Sequence, residues 1–341
     1  MFSKKYFSTL FSTLPSDSTR ENSLSTLSST GKPAPMQYPI AFGRILSCVM
    51  EGEALALLKE IAEEVLGRDK AALLWKRIDI IGDIAVIKKP IHGGVSIEDL
   101  RLVAGELLRR LPHVRSVWLA TGPVGGLFKV RRDLLHLAGE KRTSTVYREH
   151  GAEFLVDISK VFITPRLSFE HLRVARLVKP GETVVNMFAG VGVFSIIIAL
   201  KSRPSKVYSI DINPDAYRLM IENIRLNRVE DVVEPMLGDS ARIVSESLRG
   251  VADRVLMPLP DLALDYIGHA LDALRGRGWL HVYLHVDYER GKGHLRRACK
   301  LVEAEVERRG WRVVEAKARV VRSVGPKLLQ VVVDAVVRRD G

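Results

Sequence analysis

The residues that most clearly indicate a ligand-binding site are two glycines and one aspartate, each at the end of an apolar run. Gly190 and Gly192 follow the run at residues 184–189, and Asp211 ends the run at residues 206–211. In a strand–helix–strand unit, such glycines let the backbone approach a ligand, and the carboxylate can accept both ribose hydroxyls of a nucleoside. The pattern therefore predicts a site for a nucleoside-containing cofactor.

Two cofactors suit this pattern, a nicotinamide dinucleotide and S-adenosyl-L-methionine (AdoMet). A dinucleotide fingerprint has a third glycine, which lets the helix and strand pack around a pyrophosphate. Ser195 occupies that place here, and the bulky Phe194 stands beside it. A nucleoside without a pyrophosphate fits better, which favours AdoMet. A dinucleotide site and a strand–helix unit without a ligand are the alternatives.

Other candidate cofactor contacts lie at the ends of neighbouring predicted strands. These positions are Ile212, Asp239, Ser240, Pro258 and Pro260. Ligands of open parallel sheets bind beyond the carboxyl ends of the strands, so these side chains should meet the adenine or the transferring methyl group. Each position also has a structural explanation, as a turn, a strand end or, for Asp211, the cap of the helix that begins at Pro214.

A carboxylate and an imidazole come just before the predicted nucleoside site. Glu170 and His171 lie in the first turn of a predicted helix, with Arg166 a few residues earlier. Methylation of a protonated ring nitrogen needs a base to take the proton. Glu170 suits that role if burial among apolar neighbours such as Phe169 disfavours its charged form. Alternatively, it is a first-turn carboxylate that the helix dipole favours.

Basic residues follow a glycine-rich loop at residues 122–126. They are Lys129, Arg131 and Arg132, with Arg142 and Arg148 further along. Such cations could hold phosphates or stabilise negative charge on a base carbonyl oxygen. A solvated basic face is the alternative for each of them.

Alternating elements must position these residues. Helices are predicted at residues 169–177, 193–200 and 214–227, and strands at residues 183–187 and 206–210 and near Val233, Val255 and His281. A predicted antiparallel pair, residues 312–320 and 328–337, closes a doubly wound α/β sheet. Earlier, helices at residues 51–66 and 97–111 and strands at 114–119 and 154–157 predict a smaller α/β domain. Residues 78–87 add either two strands or one strand with a glycine bulge. We expect a disordered Ser/Thr-rich tail at residues 1–35 and domains at 36–160 and 161–341.

The composition narrows the class of protein. The chain has 341 residues, 47% of them hydrophobic and 27% charged, which is typical of a soluble globular protein with room for two domains. No apolar run is long enough to span a bilayer, and two cysteines form neither a disulfide framework nor a thiolate metal site. We expect a cytoplasmic monomer without a metal. The net charge of +12 favours a nucleic-acid partner.

From about residue 74 to the C-terminus, the chain resembles the archaeal and eukaryotic tRNA (guanine-37-N1)-methyltransferases and their wybutosine-pathway relatives. The resemblance is carried by residues 79–87, 137–140, 148–151, 165–171, 186–192, 210–214 and 255–260. It implies a Rossmann-like class I AdoMet-dependent methyltransferase domain, preceded by a smaller α/β RNA-binding domain that grips the anticodon stem-loop of tRNA.

The resemblance also assigns roles to residues. It implies that Glu170 is the general base and that Lys129 or Arg131 assists at the guanine. The cofactor contacts that it implies are His171, Phe188, Asp211, Ile212, Asp239 and the position of Pro258. The expected reaction is methyl transfer to N1 of the guanosine 3′ of the anticodon, flipped out of the loop.

Two departures from the family pattern leave other activities open. Asn186 replaces the usual aspartate, and Pro258 replaces an asparagine whose amide would donate a hydrogen bond beside the cofactor or base. The alternatives are a wyosine-pathway enzyme that acts on a modified guanosine and a catalytically weak tRNA-binding paralogue. Transfer of the aminocarboxypropyl arm is disfavoured by the segment that carries Glu170.

Overall fold

The computed structural model describes residues 50–74, 78–88, 90, 93–122, 125–126, 128, 130, 133–288, 293–325 and 327–340, without the side chains of 50–56. The predicted tail at residues 1–35 lies outside these ranges. The helices are α1 (Met50–Leu66), α2 (Arg68–Ala71), α3 (Ile97–Arg110), α4 (Ser168–Leu177), α5 (Val193–Ser202), α6 (Pro214–Leu226), α7 (Ser240–Ser247), α8 (Ala263–Ala273) and α9 (His294–Glu307). The strands before α4 are β1 (Ile78–Ile81), β2 (Ile84–Lys88), β3 (Ser116–Ala120), β4 (Leu134–Gly139), β5 (Ser144–Glu149) and β6 (Ala152–Asp157).

A seven-stranded sheet forms the C-terminal part of the structure. Its strands are β7 (Thr183–Asn186), β8 (Lys206–Asp211), β9 (Val233–Leu237), β10 (Ala252–Met257), β11 (Leu274–Asp287), β12 (Trp311–Gly325) and β13 (Leu328–Arg339). Their order is β12-β13-β11-β10-β7-β8-β9. The five adjacent strands β9, β8, β7, β10 and β11 run parallel to one another, and β13 runs antiparallel to both β11 and β12. This confirms the predicted doubly wound sheet closed by an antiparallel pair.

The same apolar runs that predicted the central strands are buried in this sheet. All four residues of β7 are buried, as are the last four of β10. Parallel strands covered by helices on both faces show such near-continuous apolar runs. The buried residues Val185, Met187, Val255 and Val282 belong to one apolar cluster, which also covers α8 and α9.

A four-stranded sheet with the order β1-β2-β3-β4 precedes this sheet in the chain. Of the two predicted alternatives for residues 78–87, the structure has the pair of strands rather than one bulged strand. Strands β1 and β2 are antiparallel, since the chain turns at Gly82, whose φ is +58°. Helix α3 begins at a capping box in which the Ser96 hydroxyl accepts from the Asp99 N–H and the Asp99 carboxylate accepts from the Ser96 N–H. Residues such as Ala85, Ile87 and Val117 pack with the helices in a separate apolar cluster, whereas Ile84 and Trp118 belong to the cluster that includes the seven-stranded sheet. On the strength of the separate cluster, we propose the predicted boundary near residue 160 as a domain boundary.

A hairpin of β5 and β6 lies between the two larger sheets in the chain. Its outer edge is closed by the side chains of Asn223 in α6 and of Asn227 directly after that helix. The Asn223 amide accepts from the Leu155 N–H (2.6 Å) and donates to the Leu155 carbonyl (3.1 Å). Likewise, the Asn227 amide accepts from the Glu153 N–H (3.0 Å) and donates to the Glu153 carbonyl (2.6 Å). Asn223 also donates to the carbonyl of Val191 in the loop after β7 (3.1 Å). The hairpin is therefore fixed to the element that carries the glycines.

Two aspartates of the resemblance motif at residues 79–87 are structural. Asp79 accepts a hydrogen bond from Arg166 (2.6 Å), which links β1 to the turn before α4. Asp83 accepts from Arg142 Nη1 (2.9 Å) and from the Thr145 hydroxyl (2.6 Å). Burial raises the pKa of Asp83, but these hydrogen bonds outweigh it and the net pKa is lowered.

Among the described residues, no helix has the length and apolar character that crossing a bilayer requires.

Candidate functional site

The candidate site lies at the point where the order of the seven-stranded sheet reverses. Strand β7 pairs with β8 on one side and with β10 on the other. Chain connections leave these strands in opposite directions, which creates a crevice beyond their carboxyl ends. The loop after β7 enters this crevice, where the Met187 N–H donates to the carbonyl of Leu256 (3.0 Å). The predicted cofactor residues converge on this edge of the sheet.

The two glycines of this loop have different reasons to be glycine. Gly190 has a φ of +58° and Gly192 a φ of +89°, a backbone region that side chains with a Cβ rarely adopt. A Cβ on Gly192 would lie 3.1 Å from Met220 Cγ, so α6 packs directly against this position. A Cβ on Gly190 would meet no atom within 4 Å. Gly192 therefore allows close packing, and Gly190 leaves open space for a ligand.

Asp211 lies beside this open space at the end of β8. Its Oδ2 accepts from the Gly190 N–H (2.7 Å) and its Oδ1 from the Asn213 N–H (2.9 Å). Burial raises the pKa of Asp211, although both backbone hydrogen bonds oppose that shift. The cap of α6 is Asn213, whose side chain accepts from the Asp215 N–H (3.0 Å). The alternative in which Asp211 caps this helix is therefore wrong. Ile212, the next residue, is half-buried.

An aromatic pair and a carboxylate lie on the other side of the glycine loop. The rings of Phe188 and Tyr266 meet edge to face with centroids 5.3 Å apart. The Tyr266 hydroxyl donates to Asp239 Oδ2 (2.7 Å), while Asp239 Oδ1 caps α7 by accepting from the Arg242 N–H (3.1 Å). Burial, followed by the bond to Asp239, raises the pKa of Tyr266. Sequence reasoning missed Tyr266, which lies in α8 with no motif around it.

Ser240 begins α7 next to this group. Its side chain is buried, and its hydroxyl has no hydrogen-bond partner within the described part of the chain. A buried hydroxyl without a partner costs free energy unless a ligand or water completes it. Ser240 is therefore an unsatisfied polar group at the start of α7.

Pro258 and Pro260 follow the carboxyl end of β10 and are half-buried. The carbonyl of Leu259 between them accepts from the Leu262 and Ala263 N–H groups, so α8 begins directly after this turn. A proline has no N–H, so Pro258 removes both the side-chain amide and the backbone donor that an asparagine would offer there.

Asn186 is completely buried at the end of β7. Its Oδ1 accepts from the Phe188 N–H (3.4 Å), and its Nδ2 donates to the Ser195 hydroxyl (3.1 Å). Asn186 thus connects the start of the glycine loop, at Phe188, to Ser195 of α5. The neutral amide makes these bonds without burying a charge.

His171 is held by the carboxylate of Glu149, a residue for which no role was predicted. Its Nδ1 lies 2.6 Å from Glu149 Oε1, and Glu149 Oε2 accepts from the Tyr147 hydroxyl at 2.6 Å. Burial raises the pKa of Glu149, but the bonds from His171 and Tyr147 outweigh it and the net pKa is lowered. Glu149 belongs to the motif at residues 148–151, so its position in the resemblance was the available signal.

Glu170 is buried, with 2% of its surface exposed. Its Oε1 accepts from the Tyr283 hydroxyl (2.7 Å) and Arg173 Nη2 (2.7 Å). Its Oε2 accepts from Arg173 Nε (2.9 Å) and Arg319 Nη1 (3.0 Å). The expectation of apolar surroundings is therefore wrong, because two guanidinium groups hold the carboxylate and Phe169 is 68% exposed.

A row of buried and partly buried charged side chains continues from this carboxylate. Arg173 also donates to Asp334 (2.7 and 3.0 Å), and Asp334 Oδ1 lies 2.5 Å from His281 Nδ1. Arg254 Nη1 lies 2.7 Å from His281 Nε2, and its Nε donates to Glu182 (2.8 Å). These partners come from distant parts of the chain. The only sequence signal was the presence of charged residues within apolar strand patterns.

Phe194 connects the buried carboxylate to the glycine loop. The rings of His171 and Phe194 meet at 4.4 Å, and those of Phe194 and Tyr283 at 5.9 Å. Tyr283 in turn donates to Glu170. Phe194 begins α5 just after Gly192, next to the place where a dinucleotide fingerprint would carry its third glycine. The side chain that argued against a dinucleotide therefore links His171 directly, and Glu170 through Tyr283, to the helix that follows the glycine loop.

The predicted basic cluster is only partly described. Lys129, Arg131 and Arg132 lie outside the described residues. Arg142 holds Asp83 and is therefore structural. Arg148, whose side chain is 64% exposed, pairs with Glu153 at 2.7 Å.

Comparisons with known proteins point to one family. A family model described as the TRM5/TYW2 methyltransferase domain matches residues 145–314. The tRNA 4-demethylwyosine(37)-methyltransferase Taw21 of Saccharolobus solfataricus is 41% identical over 76% of this chain and 94% of its own length. The tRNA (guanine(37)-N(1))-methyltransferase Trm5b of Pyrococcus abyssi is 36% identical over 75% of this chain and 73% of its own length.

Two solved structures resemble the fold. A complex of aTrm5 and tRNALeu matches with a TM-score of 0.69 and 32% identity, over 83% of this chain and 78% of that one. TYW2 of M. jannaschii in complex with AdoMet matches with a TM-score of 0.59 and 26% identity, over 77% of this chain and 100% of that one.

Proposed function

Because this chain belongs to the TRM5/TYW2 methyltransferase family, we propose that it methylates the base of nucleotide 37 in tRNA with AdoMet as methyl donor. The first acceptor is N1 of guanosine. The observation that carries this proposal is the contact of Phe194 with both His171 and Tyr283, which brings a buried carboxylate to the nucleoside crevice. Relatives that act at nucleotide 37 and a structural neighbour in complex with tRNA support the same substrate class.

The residues of the crevice fit AdoMet. Asp211 offers carboxylate oxygens next to the open space at Gly190, which suits two ribose hydroxyls. Phe188 and Ile212 provide apolar surface for the adenine, while Asp239 and the main chain at Ser240 can meet its polar edge. The further contacts that we propose are His171, Gly192, Pro258 and Pro260. The bound cofactor would supply a methyl group on a positively charged sulfur.

Glu170 is the proposed proton acceptor. N1 of guanine carries a hydrogen, and the new N–CH₃ bond leaves that proton to be removed. Both oxygens of Glu170 already accept hydrogen bonds, so one donor must give way as the base enters. Arg319 is that donor, because its side chain is 30% exposed whereas that of Arg173 is 17% exposed and fixed on both sides. Lys129 or Arg131 remains the proposed partner of the guanine carbonyl oxygen.

A modified guanosine is the second candidate acceptor. The 41% identical relative is named for methylation of 4-demethylwyosine at position 37, and that relative is covered over 94% of its length. Pro258, at a position where an amide could bind the base, offers no donor for reading an unmodified guanine. The same crevice and the same carboxylate would serve either substrate.

Mass spectrometry of nucleosides tests the proposal. Three otherwise identical tRNAs with guanosine, 4-demethylwyosine or adenosine at position 37 are incubated with the protein and AdoMet. Methylation of guanosine but not of adenosine is the expected result, and methylation confined to 4-demethylwyosine identifies the second candidate. An aminocarboxypropyl product, or no product on any of the three, overturns the proposal.

A further inference from the structure

Phe169 is an unusually exposed aromatic side chain for its position. It is 68% exposed, the largest exposed fraction among the large apolar side chains in the described part of the chain. It lies in the first turn of α4, directly before the buried Glu170. Single apolar residues on a surface need no explanation. An aromatic ring next to a proposed catalytic carboxylate does.

The ring of Phe169 is held in place by a cation. The guanidinium carbon of Arg319 lies 5.3 Å from the ring centroid, within the range of a cation–π contact. The same guanidinium donates to Glu170 Oε2 at 3.0 Å. Before a base enters, Arg319 thus holds the exposed ring next to the carboxylate, although Arg319 and Glu170 lie 149 positions apart in the chain.

We infer that Phe169 is a stacking platform for an unpaired RNA base at the entrance to the Glu170 site. The inference rests on the proposed function, since it assigns the ring to the same RNA. Unpaired loop bases are recognised by stacking on aromatic side chains beside cationic groups that attract phosphates. The described geometry provides both, in a chain with a net charge of +12.

The test compares Phe169→Leu with Phe169→Tyr. Leucine retains an apolar side chain and removes the π face, whereas tyrosine retains the ring. The control is Leu301→Ala, at a 43% exposed residue of α9. The readouts are the Kd for an anticodon stem-loop RNA, the Kd for AdoMet, and the quenching of 2-aminopurine placed at position 36 or 38 of the RNA.

Phe169→Leu should weaken RNA binding by roughly 5- to 150-fold, the range that one stacked base commands. It should also lose the 2-aminopurine quenching while AdoMet binding stays within about 2-fold. Phe169→Tyr and Leu301→Ala should match the wild type in all three readouts. An unchanged RNA Kd and unchanged quenching in Phe169→Leu overturn the inference. If the wild-type protein itself does not bind the stem-loop RNA, the proposed function is wrong. That result differs from wild-type binding that Phe169→Leu leaves unchanged, which contradicts only the stacking role of Phe169.

Discussion

His281 and Asp334 face each other across neighbouring antiparallel strands, and His281 Nδ1 lies 2.5 Å from Asp334 Oδ1. The other ring nitrogen of His281 faces Arg254 Nη1 at 2.7 Å. A guanidinium has only donors, so Nε2 must accept and the proton resides on Nδ1. His281 is therefore neutral, and burial lowers its pKa. Burial would raise the pKa of Asp334, but hydrogen bonds from His281 and Arg173 outweigh it and hold the pKa at about 2.

These two groups predict that the protein loses stability in acid. Below the ordinary histidine pKa of 6.5, His281 is protonated in the unfolded chain but stays neutral in the folded protein. The free energy of unfolding therefore falls by up to about 1.4 kcal/mol per pH unit as the pH decreases. The Asp334 contribution is lost only between its ordinary pKa of 3.8 and about 2. Urea unfolding at pH 7.5 and pH 5 should show a shallower pH dependence in His281→Gln than in the wild type. Equal slopes would contradict the neutral, buried state of His281.

Replacing Glu170 should impair methyl transfer far more than cofactor binding. Glu170→Gln keeps the side-chain shape but cannot take a proton, so turnover should fall by about 10²-fold or more, with the AdoMet Kd changed less than about 3-fold. Glu170→Ala is less informative, because it removes the acceptor of Arg319, Tyr283 and one side of Arg173 and therefore also lowers folding stability. Glu182→Gln, at the far end of the charged row, is the matched control and should retain turnover. Single-turnover kinetics at neutral pH that match the wild type would exclude Glu170 as the base.

The carboxylate that orients His171 should matter for the cofactor. Glu149→Gln replaces a charged acceptor by a neutral one, and we expect AdoMet to bind about 10-fold more weakly, equivalent to about 1.4 kcal/mol. Tyr147→Phe leaves the contact between Glu149 and His171 in place and should change the affinity much less. Isothermal titration calorimetry of both variants measures the difference. Equal affinities in the two variants would separate His171 from the cofactor site.

The two glycines of the loop after β7 should respond differently to alanine. Gly192→Ala adds a Cβ 3.1 Å from Met220 at a positive φ, so unfolding stability should fall by about 2 kcal/mol or more. Gly190→Ala meets no atom within 4 Å and should cost only about 1 kcal/mol of backbone strain. The added methyl group would instead enter the ligand space and weaken AdoMet binding. Thermal unfolding and calorimetry on the same pair test both statements. A Gly190→Ala variant with normal AdoMet affinity would place the ligand elsewhere.

Much of the seven-stranded sheet could be predicted because local patterns decide it. Buried parallel strands appear as apolar runs, and the glycines and Asp211 stand directly at their ends. The predicted ends of the helices and strands from residue 169 onward match the observed ones to within two residues, except that β12 extends five residues beyond its predicted end at residue 320. The site residues that depend on such local positions were therefore accessible from the sequence.

The surroundings of Glu170 could not be predicted in this way. Arg319 and Tyr283 lie 149 and 113 positions from Glu170 in the chain. Their approach depends on how β11, β13 and β12 are ordered in the sheet, which no local periodicity encodes. Tyr266 and Asp239 likewise meet only because α7 and α8 pack together. Long-range pairing of polar groups, rather than secondary structure, is what the sequence left open.

The asparagines of α6 that bond to β6 have a consequence for motion and association. Since Asn223 and Asn227 occupy the main-chain groups of Leu155 and Glu153, this hairpin edge offers no free template for a strand of another molecule. Its amide hydrogens should exchange with deuterated solvent as slowly as those of interior strands. Asn223 also donates a hydrogen bond to the Val191 carbonyl. Local opening of the hairpin and loosening of the glycine loop should therefore occur as one cooperative event.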